Sequence, residues 1–214
     1  MDSGKVEAGM EKTRIVPVIV LEKAADVVNL CRALREGGLA VAEITFRTEA
    51  AGQALETVSR EFPEFILGAG TVTTVEEVEA AKRAGAQFAV SPGLNPRIVR
   101  RAQELELPFF PGVCIPSDIE AALELGCRTL KFFPAAAAGG TKTIKAIYGP
   151  YKHKGIRFVP TGGINPENMK EYLTTPGVLA IGGSWLVAKD LLAAGDWGSV
   201  TRLTREAVSV VKSL

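Results

Sequence analysis

The chain holds a single histidine, His153, set in KHKG between two patterned stretches. One histidine removes histidine-built metal sites and most Ser/His or Cys/His nucleophile pairs, so hydrolase and metalloenzyme chemistry lose their usual groups. His153 itself reads as an exposed loop residue. Cysteine is also scarce: Cys31, Cys114 and Cys127 are odd in number and match no metal or redox spacing. A disulfide framework is therefore not expected, and the three read as small buried hydrophobes. Neither sign of charge is in excess, with 25 Lys and Arg against 24 Asp and Glu and no long basic block, so nucleic acid is not an expected partner. No early apolar run spans a bilayer, since VPVIVL over 16–21 falls far short of the ~20 residues needed. The opening MDSGKVEAGMEK lacks the apolar core of a secretory signal, and the expectation is a soluble, cytoplasmic protein without a membrane partner. A Pro/Ser-rich linker is missing too, which favours one domain.

Against these absences stands Lys131, inside the bulky, β-favouring run TLKFFPA over 129–135. With strand alternation, Thr129, Lys131 and Phe133 share one face while Leu130 and Phe132 share the other. If the lysine's face lines a closed pocket, desolvation disfavours the ammonium and leaves a neutral amine able to attack a carbonyl. The competing reading of this segment alone is an exposed edge strand that carries the lysine as a charge against aggregation.

Short β-branched runs alternate with longer amphipathic stretches, and glycines close several of those stretches, as in EGG, RAG and ELG. The strands are expected near 14–20, 40–46, 65–71, 87–91, 108–113, 128–133, 156–160 and 178–182, about eight β/α units. The fold class is then α/β, a single (β/α)8 TIM barrel over 13–214 with residues 1–12 as a short helix or arm across its bottom. An open doubly wound sheet is the second choice. It would carry a Gly-rich fingerprint after its first strand, and VPVIVLEKAAD has none.

Ligands of such barrels sit at the C-terminal strand ends, and several polar residues fall there. In VAEITFR over 41–47, Glu43 and Arg47 share a face and would serve proton transfer and carboxylate clamping; an ordinary surface ion pair at a strand end is the alternative. GAGT over 68–71 and SPG over 91–93 supply small residues that let a ligand approach the backbone, with a hydroxyl from Thr71. TGGIN over 161–165 and IGGSW over 181–185 follow the seventh and eighth strands, where Gly162, Gly163, Gly183 and Ser184 suit a phosphate held on backbone N–H groups. Tight turns alone are the alternative for these glycines. A phosphorylated small molecule is the favoured ligand.

VPVIV, EITFRTE, GAGTV, QFAVSPG, LKFFPA, FVPTGGI and IGGSWLV resemble, in order and spacing, the 2-keto-3-deoxy-6-phosphogluconate (KDPG) aldolases and their 4-hydroxy-2-oxoglutarate (KHG) aldolase relatives. The resemblance covers nearly the whole chain after about residue 12. It implies a class I aldolase in which Lys131 forms a Schiff base with pyruvate, without metal or other cofactor, releasing pyruvate and glyceraldehyde 3-phosphate. It further implies that Glu43 is the general acid/base, acting through a bound water, and that Arg47 and Thr71 hold the pyruvate carboxylate near the backbone around Pro92. Phe133 becomes an aromatic wall, Thr161 bears on aldehyde stereochemistry, and Gly162, Gly163 and Ser184 mark the phosphate end. Homotrimeric assembly is implied as well. The chain departs from the family pattern at Ala136 and Ala138, where a glutamate and an asparagine are common, and at Ile115, where threonine is common. Those changes bear on the pocket rim and the substrate range. Related readings are an aldolase preferring 4-hydroxy-2-oxoglutarate or the galactonate-series epimer, a non-covalent phosphosugar isomerase or epimerase, and a silent barrel that only binds phosphorylated ligands.

Overall fold

The computed structural model describes residues 3–214, with the Ser3 side chain left aside; the first two residues of the expected arm lie outside the described residues. The strands are β1 (Ile15–Ile19), β2 (Val41–Thr45), β3 (Ile66–Gly70), β4 (Phe88–Val90), β5 (Phe109–Phe110), β6 (Gly112–Val113), β7 (Thr129–Phe132), β8 (Arg157–Pro160) and β9 (Ile181–Gly183). Helix α1 (Ser3–Thr13) precedes them. Helices α2 (Val27–Glu36), α3 (Ala51–Glu61), α4 (Val75–Arg83), α5 (Pro96–Glu104), α6 (Pro116–Glu124), α7 (Gly140–Tyr151) and α8 (Met169–Leu173) alternate with the strands, and α9 (Lys189–Ala194) and α10 (Trp197–Lys212) close the chain.

All strand pairings are parallel. Six strands form one sheet in the order β5-β4-β3-β2-β1-β9, and three form another in the order β6-β7-β8. Isolated parallel bridges from Phe158 to Val178 and from Thr161 to Gly182 tie the second sheet to the β9 side. Parallel strands with intervening helices define an α/β fold, and their C-terminal ends all gather at one end of the molecule.

Two strands differ from the expected spans. The run 108–113 is not one strand: Pro111 separates β5, which pairs with β4, from β6, which pairs with β7. Proline has no N–H to give to a ladder, so the break falls where the chain changes partner. The last strand is displaced from 178–182 to Ile181–Gly183. Leu179 N–H donates to Phe158 O, whereas Ile181 N–H donates to Arg14 O, so this segment crosses from one strand's edge to another's and becomes regular only after crossing.

The fully buried side chains of β7, Leu130 and Phe132, form part of the apolar core together with Leu30, Leu34 and Phe158. At the N-terminal strand ends, α1 buries Val6 and Met10. Its Glu7 accepts a hydrogen bond from Thr129 Oγ1 at 2.7 Å and pairs with Arg157, joining the starts of β7 and β8. No helix among the described residues is long and apolar enough to cross a membrane.

Candidate active site

Lys131 and Glu43 stand on strands of different sheets, β7 and β2. Even so, Lys131 Nζ donates to Glu43 Oε1 at 3.1 Å, so the bond bridges the two sheets. Alternation explains how each arrives. On β7, Leu130 and Phe132 are turned to the apolar side, which sends Lys131 the other way, where only 6% of it is exposed; Glu43 is 3% exposed. Taking two charges out of water costs several kcal/mol each, and their attraction does little better than repay it. A well-packed apolar pair often holds a fold as well, so stability alone does not account for this ion pair.

The carboxylate fits because of a glycine. A Cβ built on Gly70 of β3 would lie 2.3 Å from Glu43 Oε1 and 2.7 Å from its Cγ. From the sequence, GAGT promised space for a ligand against the backbone. The structure instead fills that space with Glu43. Thr161 receives the same treatment: a Cβ on Gly182 would lie 2.2 Å from Thr161 Oγ1. Neither role was readable from the chain, since each depends on which strands are neighbours. Double glycine-containing runs beside an acid or threonine on the adjoining strand were the available signal.

Around the amine, the Phe133 ring centroid lies 5.9 Å from Lys131 Nζ, within cation–π range. Gly162 follows, with φ +100° and the Phe133 ring 3.4 Å from its would-be Cβ. Gly163, at φ +76°, continues the turn; its would-be Cβ would press on the Cβ of Ala136, and Ala136 N–H donates to Gly162 O at 3.0 Å. Phe133 and the exposed Pro92 line one cleft of about 210 Å³. Thr161 is 7% exposed.

The remaining expected residues stand at the same end with different surroundings. Arg47 lies beyond β2 in a turn, exposed, with no hydrogen bond or ion pair among the described residues. It does not pair with Glu43, which Lys131 holds instead. Thr71 follows β3 at φ +56°, a left-handed backbone that costs a β-branched residue roughly 1–2 kcal/mol. Ser184 is exposed just past β9, but Gly183 is buried in the strand, where a Cβ would strike the Trp185 ring. Gly183 thus seats an aromatic ring. His153 is exposed in a short 3-10 turn, Lys152–Lys154. Of the cysteines only Cys31 is fully buried, and burial pushes its thiol up to about 12; Cys114 and Cys127 are only half-buried, which corrects the reading of all three as interior residues.

A buried lysine–carboxylate pair among parallel α/β strands sets an amine beside a proton acceptor, an arrangement that suits nucleophilic chemistry through the amine. The model of the KDPG and KHG aldolase family matches residues 6–203. The 2-dehydro-3-deoxy-phosphogluconate aldolase of Haemophilus influenzae is 47% identical over 95% of this chain and 95% of its own length. Among solved structures, the KDPG aldolase of Legionella pneumophila, with pyruvate captured at low pH as a covalent carbinolamine intermediate, has a TM-score of 0.90 at 40% identity, covering 94% of this chain and 97% of that one. The Zymomonas mobilis KDPG aldolase with 3-phosphoglycerate has a TM-score of 0.87 at 36% identity, covering 96% and 95%. The chain belongs to the KDPG and KHG aldolase family.

Proposed function

We propose that the chain is a class I aldolase that cleaves 2-keto-3-deoxy-6-phosphogluconate to pyruvate and glyceraldehyde 3-phosphate. The observation that carries this reading is the buried hydrogen bond from Lys131 Nζ to Glu43 Oε1. Once its proton has passed to Glu43, the ε-amine adds to the substrate's keto carbon; Glu43 then gives that proton to the carbinolamine hydroxyl, which leaves as water, so that the iminium forms and Glu43 is again a carboxylate. Glu43 takes the proton of the C4 hydroxyl as the C3–C4 bond breaks, and the electron pair moves into the iminium as an enamine. After the aldehyde leaves, a proton returns to the terminal carbon, and hydrolysis frees pyruvate and Lys131.

Arg47 and Thr71 take the pyruvate carboxylate near Pro92, Phe133 walls the imine, and Thr161 faces the aldehyde carbon. The phosphate end falls to Gly162, Gly163 and Ser184, with Gly183 supporting them from the strand. The Zymomonas relative's 3-phosphoglycerate supports an anionic end of this kind. We further read the two sheets as one eight-stranded barrel, with the passage through Pro111 and the two isolated bridges as its seams, α1 as its floor and residues 13–214 as one catalytic domain. The family resemblance supports a cytoplasmic homotrimer. KHG, or the galactonate-series epimer, remains the second substrate reading because the rim is altered at Ile115, Ala136 and Ala138.

Borohydride reduction in the presence of pyruvate, followed by peptide mass mapping, tests the reading. A pyruvate-derived adduct on Lys131 is expected; an unmodified Lys131 would refute the Schiff base.

A further inference from the structure

Arg47, the carboxylate clamp of the proposed reaction, stands in the turn between β2 and α3 with its side chain exposed and unpartnered among the described residues. Its place is therefore set by the backbone of residues 46–50. Upstream the turn is well anchored: β2 lies between β1 and β3, Thr45 Oγ1 donates to Ile19 O at 2.9 Å, and Phe46 N–H donates to Gly70 O at 2.8 Å. Downstream, α3 begins only at Ala51, whose N–H makes a long bond to Thr48 O at 3.4 Å. Between the two, immediately after Arg47, the Thr48 hydroxyl donates to Leu21 O, just past the end of β1, at 2.5 Å. Leu21 is buried in the core, which gives the turn a firm anchor.

We propose, building on the reading of Arg47 as that clamp, that Thr48 is a positioning residue: its hydroxyl holds the turn against the segment after β1 and so fixes where the Arg47 guanidinium stands. A long, exposed arginine gives up rotamer freedom when it binds a carboxylate, and backbone motion beneath it adds to that loss. The two-bond match between guanidinium and carboxylate also depends on angle, so a turn that swings weakens the clamp. Thr45 does not do the same work, because it precedes Arg47 and is already held in the strand ladder.

The test is the pyruvate concentration that half-saturates borohydride trapping on Lys131 in the full-length chain. Arg47→Ala should raise it at least about tenfold, the loss of a charge-assisted pair. Thr48→Val, which keeps the shape and removes the hydroxyl, should raise it about fivefold, whereas Thr48→Ser, which keeps the hydroxyl, should stay within about twofold of wild type. In the double variant Arg47→Ala/Thr48→Val no guanidinium is left to position, so the second change should add less than about twofold, while a threonine that only supports the fold would add its effect in full. If Thr48→Val does not fold, Thr48→Ala takes its place in the same cycle. No adduct in the wild type, or an unchanged half-saturation in Arg47→Ala, would overturn the Schiff-base or the clamp reading and the role of Thr48 with it. With both readings intact, an unchanged value in Thr48→Val, a Thr48→Ser variant equally impaired, or an undiminished effect in the double variant would overturn the role of Thr48 alone.

Discussion

Strand β7 carries two polar residues on one face, and they lead opposite lives. Thr129, at the N-terminal end, is fully served: its hydroxyl donates to Glu7, which also holds Arg157 of the next strand. Lys131, two residues on, has one buried carboxylate from across the interior and an aromatic ring nearby. Around Thr129 the polar groups lock a helix to two strands. At the C-terminal ends of the strands, Arg47 has no side-chain partner among the described residues, Thr71 is held in a costly backbone, and glycines form the turn after β8. Polar groups that finish their hydrogen bonds within the protein stabilise it; those left for something else to finish are where a ligand goes. One strand thus divides the work between its ends.

The sharpest break between the ends is Lys131→Ala. Turnover should fall at least about 10⁴-fold and the borohydride-trapped adduct should vanish, since no neighbouring group replaces the nucleophile. Residual trapping on another lysine would show that the mouth holds a second amine and that the contrast within β7 is not the relevant one.

Next in size is Gly70→Ala, a change that touches no proposed substrate atom. The added methyl would lie 2.3 Å from Glu43 Oε1, so the carboxylate must move away from Lys131. A displacement on the order of 1 Å in a catalytic group costs about 10²-fold in rate. We expect kcat to drop by about that factor while pyruvate still traps slowly on Lys131. Unchanged kcat would mean that Glu43 works from another position.

At the opposite end, Glu7→Ala should reverse the pattern. It strips the partner from Thr129 and from Arg157, which should cost about 2 kcal/mol and lower Tm by about 4–8 °C, with kcat within about twofold of wild type. Thermal unfolding beside steady-state kinetics separates the two effects. A large fall in kcat at unchanged Tm would erase the division of labour, because α1 would then be positioning Lys131.

Much of this arrangement was readable from the chain, and the unread part shares one cause. Alternation in TLKFFPA turned Lys131 away from the apolar face, and the motif order placed Glu43, Thr161 and Ser184 at one end, because strand period and chain order are local properties. The contact from Lys131 to Glu43, the room that Gly70 and Gly182 provide, and the seating of Trp185 by Gly183 are properties of strand neighbours or of a ring folded back, and no local pattern encodes them. Arg47 was grouped with Glu43 by alternation, but β2 stops at Thr45, so the period no longer applied where Arg47 stands. The break at Pro111 was legible in principle, since a proline inside an expected strand argues against continuity.

The smallest effect concerns two helices that both begin just past the C-terminal strand ends. Helix α4 starts with a complete capping box: Thr74 Oγ1 accepts from Glu77 N–H at 3.1 Å, and Glu77 Oε2 accepts from the N–H of Thr74 at 3.1 Å. Helix α6 has half of one. Asp118 Oδ2 accepts from Cys114 and Ile115 N–H at 2.8 and 3.2 Å, but Ile115, in the extended cap conformation, has no side-chain oxygen to give in return, and it is 53% exposed. Ile115→Thr should supply that oxygen to Asp118 N–H while removing little buried surface, for a gain of about 1 kcal/mol and a Tm rise of about 2–4 °C. Because the family resemblance also reads Ile115 as a departure at the pocket rim, the same variant weighs stability against specificity. Unchanged kcat/KM for phosphorylated and unphosphorylated substrates would make the isoleucine a simple loss of a cap, whereas a Tm rise accompanied by a shifted ratio between them would make Ile115 part of the mouth, kept at a cost to the helix it begins.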